Sequence, residues 1–396
     1  MKFNKKVLSN GLTVLHEERD VPVTTVMLAA KYGAMYESSE EKGIAHFIEH
    51  LCFKGTEKRT VDDIAREVEG VGGELNAFTS EEMTAYHVKL PSSHLNVAMD
   101  VIFDIFFNAS FPEAEVEKEG NVICEEIKMY RDNPRAHVLE MIKNNLYKEP
   151  FGSFVAGSEE TVRGIKREQL FRKHRENYVP KNSVLAVVGN NSFKEVLEMA
   201  ERFSVEREGN LREFPEIEKQ SLEGSESRGD LQQTNLALGF HFPTGSEKER
   251  YAAELFYTIL GQGMSSRLFK EVREKRGLVY GVKTDIDIGK NYSYMIIWAG
   301  TDPGKKEEVI CICLEEFSKM KNLTEEELFQ AKVRVVGGRK VDSENSNDVA
   351  LNLIFEEISG DAKEYYSFED RINSVTLEDI KALAEITEHA SFSLGP

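Results

Sequence analysis

A chain of 396 residues with 69 Asp and Glu against 50 Lys and Arg carries a formal charge of −19; it repels a phosphate backbone, which argues against a nucleic-acid partner but not against peptides. Its hydrophobic content of 40% is enough to fill the cores of two or more ordinary domains. No apolar run of about 18 residues is present to cross a membrane, no apolar stretch follows Met1 to Lys6 to act as a secretory signal, and Cys52, Cys124, Cys311 and Cys313 lack paired metal spacing, so a cytoplasmic protein with free thiols is expected.

The first predicted element is a hairpin from Val7 to His16 that turns at Asn10-Gly11. A largely buried strand, Thr24 to Tyr32, follows. The segment Gly43 to Phe53 then reads G-I-A-H-F-I-E-H-L-C-F and is predicted as a helix, with Ser38-x-x-Glu41 upstream as its capping signal. At about 100° per residue, Ile44, Phe47, Ile48 and Leu51 form one apolar stripe, and His46, Glu49 and His50 cluster roughly 155° away. Residues at i and i+4 share a face, so His46 and His50 can aim ring nitrogens at one zinc ion, at about 2.0–2.1 Å. Glu49 is offset on the same side, placed to take a proton from a water whose pKa such an ion lowers to about 7. The order His-x-x-Glu-His inverts the more familiar His-Glu-x-x-His and belongs to the inverzincins. Two histidines at this spacing are by themselves usually surface decoration; the glutamate and the opposing apolar stripe set this pair apart.

Beyond Thr56, Thr60-Val61-Asp62-Asp63 opens a second helix toward Val71, which Gly72-Gly73 stops. Two strands are predicted next, Glu74 to Ser80 and Thr84 to Leu90, closed by Pro91. A helical pattern runs from Ser93 to Asn108, and Pro112 opens another helix, Glu113 to Asp132. A zinc site with two histidines needs a further protein donor and one open position, and this helix is where the donor is sought. Its apolar stripe is Val116, Ile123, Ile127 and Tyr130; Glu115, Glu119 and Glu126 border it, whereas Glu125 points away. Periodicity leaves those three candidates and does not choose among them. A helix from Arg167 to Tyr178, a strand from Ser183 to Val188 and a helix from Phe193 to Phe203 complete the first half. The polar stretch from Glu206 to Gln233 reads as a linker.

These motifs together resemble the pitrilysin-type zinc peptidases, family M16, and most of all the short two-domain members related to the mitochondrial processing peptidase. The residues that carry the resemblance are His46-Phe47-Ile48-Glu49-His50 with Leu51-Cys52-Phe53-Lys54-Gly55-Thr56, then Gly72-Gly73-Glu74-Leu75-Asn76-Ala77-Phe78-Thr79, then Glu119 with Glu126 seven residues on. The resemblance implies an α+β fold of two homologous LuxS/MPP-like metallohydrolase domains, each an antiparallel-rich sheet packed with helices, with boundaries at 1–205 and 234–396 around the 206–233 linker. It implies Glu126 as the third zinc ligand beside His46 and His50, Glu119 supporting the ligands from behind, and Glu49 as catalytic base. It also implies that Asn76, Ala77, Phe78 and Thr79 form an edge strand accepting an extended peptide by main-chain pairing, a mode that reads little sequence.

The second half retraces the first. Thr234 to Phe242 aligns with Thr25 to Gly33, and Glu249 to Leu260 with the histidine-bearing helix, placing Glu254, Tyr257 and Thr258 opposite His46, Glu49 and His50. Thr324 to Lys340 overlays Pro112 to Lys128, with Ala331 and Gly338 opposite Glu119 and Glu126. No ligand survives in this copy, so one zinc ion per chain is expected. The run Arg273-Glu274-Lys275-Arg276-Gly277-Leu278-Val279-Tyr280 resembles the family's Arg/Tyr pair, which implies that Arg273 and Tyr280 bind the substrate backbone and steady the developing oxyanion. The family's two-domain members pair two chains to close a chamber, so a homodimer, or a partner encoded elsewhere, is implied. The function expected is zinc-dependent endopeptidase action on extended or unfolded peptides. The rival is a non-catalytic scaffold subunit of the same fold, which has no need of an intact ligand set.

Overall fold

The computed structural model describes residues 2–209 and 211–396. The chain opens with strands β1 (Lys2–Val7), β2 (Thr13–Glu18) and β3 (Val23–Ala30), followed by helices α1 (Ile44–Cys52) and α2 (Val61–Glu69). Strands β4 (Glu74–Thr79) and β5 (Thr84–Pro91) lead to helices α3 (Leu95–Asn108), α4 (Glu113–Asp132), α5 (Pro134–Leu146), α6 (Glu159–Gly164) and α7 (Arg167–Asn177). After β6 (Ser183–Gly189) and α8 (Phe193–Phe203) come β7 (Glu223–Ser227), β8 (Thr234–His241), α9 (Glu247–Gly261), β9 (Val279–Ile288) and β10 (Ser293–Thr301). Helices α10 (Lys306–Ser318), α11 (Glu325–Asp342), α12 (Ser346–Ser359), α13 (Glu364–Ser374) and α14 (Leu377–Leu383) precede the last strand, β11 (Ala390–Gly395). Local chemistry sets many of these boundaries: Thr60 and Asp63 cap α2 reciprocally, as do Ser192 with Glu195 at α8 and Ser246 with Glu249 at α9.

The chain divides into two compact units, and neither is continuous in sequence. The first comprises residues up to Ile127, Phe154–Pro215 and Asp342–Tyr365; the second comprises Lys128–Ser153, Glu216–Val341 and Tyr366–Pro396. A division at 205 and 234 does not anticipate this. Among the described residues, the first unit holds a six-stranded sheet in the order β1-β2-β6-β3-β5-β4, antiparallel except for the β2–β6 pair. Helices α1, α2, α3 and α8 cover one face, against Val14, Val26, Leu28, Val88, Leu185 and Val187. The other face, Leu15, Met27, Ala29, Ala85, Val184, Ala186 and Val188, is covered by α12 through Val349, Ala350, Leu353 and Ile354. Burial on both faces explains why β3 and β6 read as continuous apolar runs rather than alternating ones. Each of Val349, Leu353 and Ile354 is wholly buried and contributes about 1.5–3 kcal/mol.

The second unit repeats the plan with a five-stranded sheet, β7-β11-β8-β10-β9, in which β7 and β11 run parallel. From the centre outward, β11-β8-β10-β9 matches β6-β3-β5-β4 in the first sheet. One face carries the core built on Leu236, Leu238, Phe240, Met295 and Ile297. The other carries α5, whose Leu146 and Ile142 lie so near Gly239 that a Cβ there would be 2.7 Å from Leu146 Cδ1. Thus α5, which follows α4, and α12, which follows α11, each belong to the unit other than that of the helix before. The stretch expected to be linker also differs from expectation. Its Glu223–Ser227 forms β7, paired in register from Glu223 with Ser391 to Ser227 with Gly395; a strand made of Glu, Gly and Ser carries no apolar alternation to announce it.

Candidate metal centre

The site begins with the way α1 is started. Gly43 stands at φ +96°, and a Cβ there would meet the Ala156 carbonyl oxygen at 2.4 Å, so only glycine fits. The first N–H groups of α1 point at the Glu37 carboxylate, which accepts from Gly43 at 3.1 Å and from Ala45 at 2.7 Å. Lys42 lies 3.4 Å from the same carboxylate and donates to the Ala34 carbonyl at 2.8 Å. Burial pushes the Glu37 carboxyl up to about 7, against the opposing pull of Lys42 and the two N–H groups. The expected cap at Ser38 is therefore corrected. Ser38 makes no side-chain cap bond, Ser39–Glu41 is a separate short turn, and Glu37 reaches the helix start from outside the usual spacing.

Past this start the helix divides as its periodicity requires. Ile44, Phe47, Ile48 and Leu51 are buried, and His46, Glu49 and His50 lie on the opposite side. Helix α4 crosses nearby, and Gly120 lets it approach: a Cβ there would sit 3.4 Å from Phe47 Cζ. From α4, Glu126 Oε2 comes to 3.8 Å from His46 Nε2 and 3.5 Å from His50 Nε2. All three donor atoms lie within 4.8 Å of one another, and no other group of three such residues among those described converges in this way. Donors on a tetrahedral zinc at about 2.0–2.1 Å are roughly 3.3 Å apart, so two imidazoles and a carboxylate at these separations fit one such ion. Of the three carboxylates left open by periodicity, Glu126 joins the histidines. Glu119 stands behind them, and Glu115 is 3.5 Å from Lys118 on its own helix. Glu125 is exposed.

The surroundings match what a cation needs. Burial, together with the neighbouring His50, pulls His46 down to about 4, so it is neutral at physiological pH, the form that ligates. Burial also opposes protonation of His50, but its bonds to Glu126 and Glu119 outweigh that and raise its pKa. Glu126 is held below the usual carboxylate range, chiefly by its bond to His50. Buried Glu119 accepts from His50 Nδ1 at 3.2 Å through Oε2, and Lys54 Nζ lies 2.9 Å from its Oε1. Both carboxylate oxygens are thereby engaged, which fixes the tautomer and ring orientation of His50. Burial raises the Glu49 carboxyl, although the Thr79 hydroxyl donates to its Oε2 at 2.6 Å.

Asn76, Ala77, Phe78 and Thr79 all lie on β4, the last strand of its sheet, with Thr79 paired to Thr84 of β5 on the inner side. Arg273 and Tyr280 lie in the second unit. Arg273 is exposed on a wide helical turn, Phe269–Glu274, with its guanidinium 4.7 Å from the Phe269 ring centre, and Tyr280 on β9 is 81% exposed. Neither Lys54 nor Glu37 is given a role by motif or periodicity. Lys54 lies just past the C-terminal end of α1, where helical spacing no longer places a side chain, and Glu37 acts through a chain reversal that no periodicity records.

Two family models match this chain: insulinase (peptidase family M16) over residues 12–159 and the peptidase M16 inactive domain over residues 164–334. A Rickettsia bellii protein described as an uncharacterized zinc protease is 36% identical over 84% of this chain and 82% of its own length. One from Bacillus subtilis, described in the same terms, is 32% identical over 89% of this chain and 87% of its own. The fold is shared with a Helicobacter pylori protease whose crystal structure superposes with a TM-score of 0.92, covering 100% of this chain and 99% of that one at 23% identity.

Proposed function

This chain belongs to peptidase family M16, and on that premise we propose that it is a zinc-dependent endopeptidase acting on extended or unfolded peptides, with one ion per chain. The observation that carries this reading is the convergence of His46, His50 and Glu126 with Glu49 beside them. A zinc ion on those three side chains would polarise the scissile carbonyl and acidify a water. Glu49 takes the proton of the attacking water and returns it to the amine as the C–N bond breaks. Glu119 and Lys54 hold His50 in its ligating orientation. The open edge of β4, over Asn76 to Thr79, presents main-chain groups to a peptide laid alongside. Arg273 and Tyr280, exposed in the degenerate copy, are assigned to the substrate backbone and the developing oxyanion, and a homodimer is the arrangement assigned to the closed chamber. Four groups brought together in this way favour a peptidase over a scaffold.

The test is metal analysis of the purified protein combined with cleavage of quenched unfolded peptides of several lengths, with and without a chelator. Stoichiometric zinc and chelator-sensitive cleavage are expected. Absence of zinc binding, or cleavage indifferent to the chelator, would overturn the reading.

A further inference from the structure

Edge strand β4 ends at Thr79, and there it touches α1. Thr79 Oγ1 lies 2.6 Å from Glu49 Oε2 and 3.4 Å from the hydroxyl of its cross-strand partner Thr84. The direction of these bonds is settled by chemistry. Thr84 Oγ1 donates its single proton to the Tyr32 carbonyl at 3.0 Å, and an ionised carboxylate only accepts, so the Thr79 proton goes to Glu49. Glu49 Oε1 accepts no hydrogen bond among the described residues. One oxygen of the carboxylate is thus held and the other is left for a water.

We propose that Thr79 is a positioning residue: its hydroxyl fixes the Glu49 carboxylate in the pose that accepts a proton, and it ties that pose to the strand on which the peptide docks. Helix α1 sets where the Glu49 backbone sits, but three side-chain torsions still separate that backbone from the carboxylate. A half-buried glutamate with free torsions spends most of its time away from any one geometry. A hydrogen bond from a rigid strand removes that freedom. Because Thr79 belongs to the same six residues whose outer edge pairs with no other strand among the described residues, a peptide added along β4 stiffens the element from which the hydroxyl reaches. Docking and orientation of the base then become linked events, and a peptide too short to pair along β4 gains less from the link.

This inference rests on the peptidase reading, and its test separates the two. Thr79→Val keeps the shape and removes the hydroxyl; Thr79→Ser keeps the hydroxyl. With the zinc-loaded enzyme and a quenched unfolded peptide, Thr79→Val is expected to lower kcat by about 10- to 100-fold, the scale of a misplaced catalytic group, with KM within twofold. Thr79→Ser is expected to return to within threefold of the parent. Zinc stoichiometry is expected to be unchanged in both, as is peptide affinity measured by anisotropy in a Glu49→Gln background. Crystal structures of the parent and of Thr79→Val supply a readout independent of turnover, in which the Glu49 carboxylate loses its single pose only in the variant. An unchanged kcat, a change confined to KM, loss of zinc in Thr79→Val, or a Glu49 carboxylate that keeps its pose without the hydroxyl would each overturn the proposal. If the parent cleaves no peptide at all, the peptidase reading fails, and the Glu49 pose in the two structures still decides the role of Thr79.

Discussion

Glu119 and Glu126 sit seven residues apart on one helix, yet only one of them is available to a cation. Lys54 and His50 occupy both oxygens of Glu119, whereas Glu126 reaches the two Nε2 atoms from an edge that remains partly open. Glu119→Ala is therefore expected to weaken zinc binding by about 10- to 100-fold without removing a ligand, as read by competition with a chromophoric chelator; unchanged affinity would remove Glu119 from the site. Glu49→Gln separates chemistry from ligation. Turnover of a quenched peptide should fall by at least about 10²-fold, the scale of a lost general base, while metal content stays at the parent level. Metal lost together with activity would make Glu49 a ligand instead.

At the scale of elements, two helices are held by single buried groups. The start of α1 depends on Glu37, and Glu37→Ala leaves the Lys42 ammonium, which is 3% exposed, without its carboxylate. Removing one partner of a buried pair costs about 3–5 kcal/mol, and a denaturant titration is expected to show a loss of that order. Helix α7 is fastened to α3 by His174, whose Nε2 donates to the Phe106 carbonyl at 2.7 Å while Nδ1 is buried without a hydrogen-bond partner. Burial, with Arg207 and Arg175 adding to it, pulls this imidazole down to about 3 from an ordinary value of 6.5. The folded state thus binds the proton less readily than the unfolded chain. The stability His174 contributes is complete above pH 6.5 and drains away as pH falls toward 3, at up to about 1.4 kcal/mol per unit. Thermal unfolding followed between pH 7 and pH 4 is expected to show a shallower acid slope in His174→Asn than in the parent; parallel slopes would mean that other groups set the acid limit.

At the scale of the whole molecule, the exchange of α5 and α12 makes the two halves of the sequence interdependent. A chain ending at Pro215 retains the first sheet but not α12, so the face formed by Leu15, Met27, Ala29, Val184, Ala186 and Val188 loses its cover. An exposed apolar face of that kind favours association. The truncated chain is expected to bind a hydrophobic dye and to run as aggregate on size exclusion, and a monomeric, cooperatively unfolding 1–215 would show that α12 is dispensable. The repeat itself is visible in strand order, with β9 at the edge of the second sheet where β4 stands in the first. The ligand positions of the second copy are Glu254, Thr258 and Gly338, a set without histidine.

Periodicity and spacing alone determined the parts of this protein that are local. The buried and polar sides of α1 and the exclusion of Glu125 follow from side chains repeating every 3.6 residues along one element, and the outer bounds of the β4–β5 pair from Gly72-Gly73 and Pro91 beside them, signals that need no partner to be read. Choosing Glu126 over Glu115 and Glu119 took the family resemblance at the level of sequence. In the structure it rests on two helices crossing where Gly120 allows them to. The same holds for Glu37 starting α1, β7 emerging from a polar stretch, and α12 covering a sheet more than a hundred and fifty residues before it. Glu37 reaches α1 from only six residues before Gly43, but through a reversal of the chain rather than a helical repeat; the others depend on surfaces meeting across long loops, and no residue carries a mark of the distant neighbour against which it will be buried.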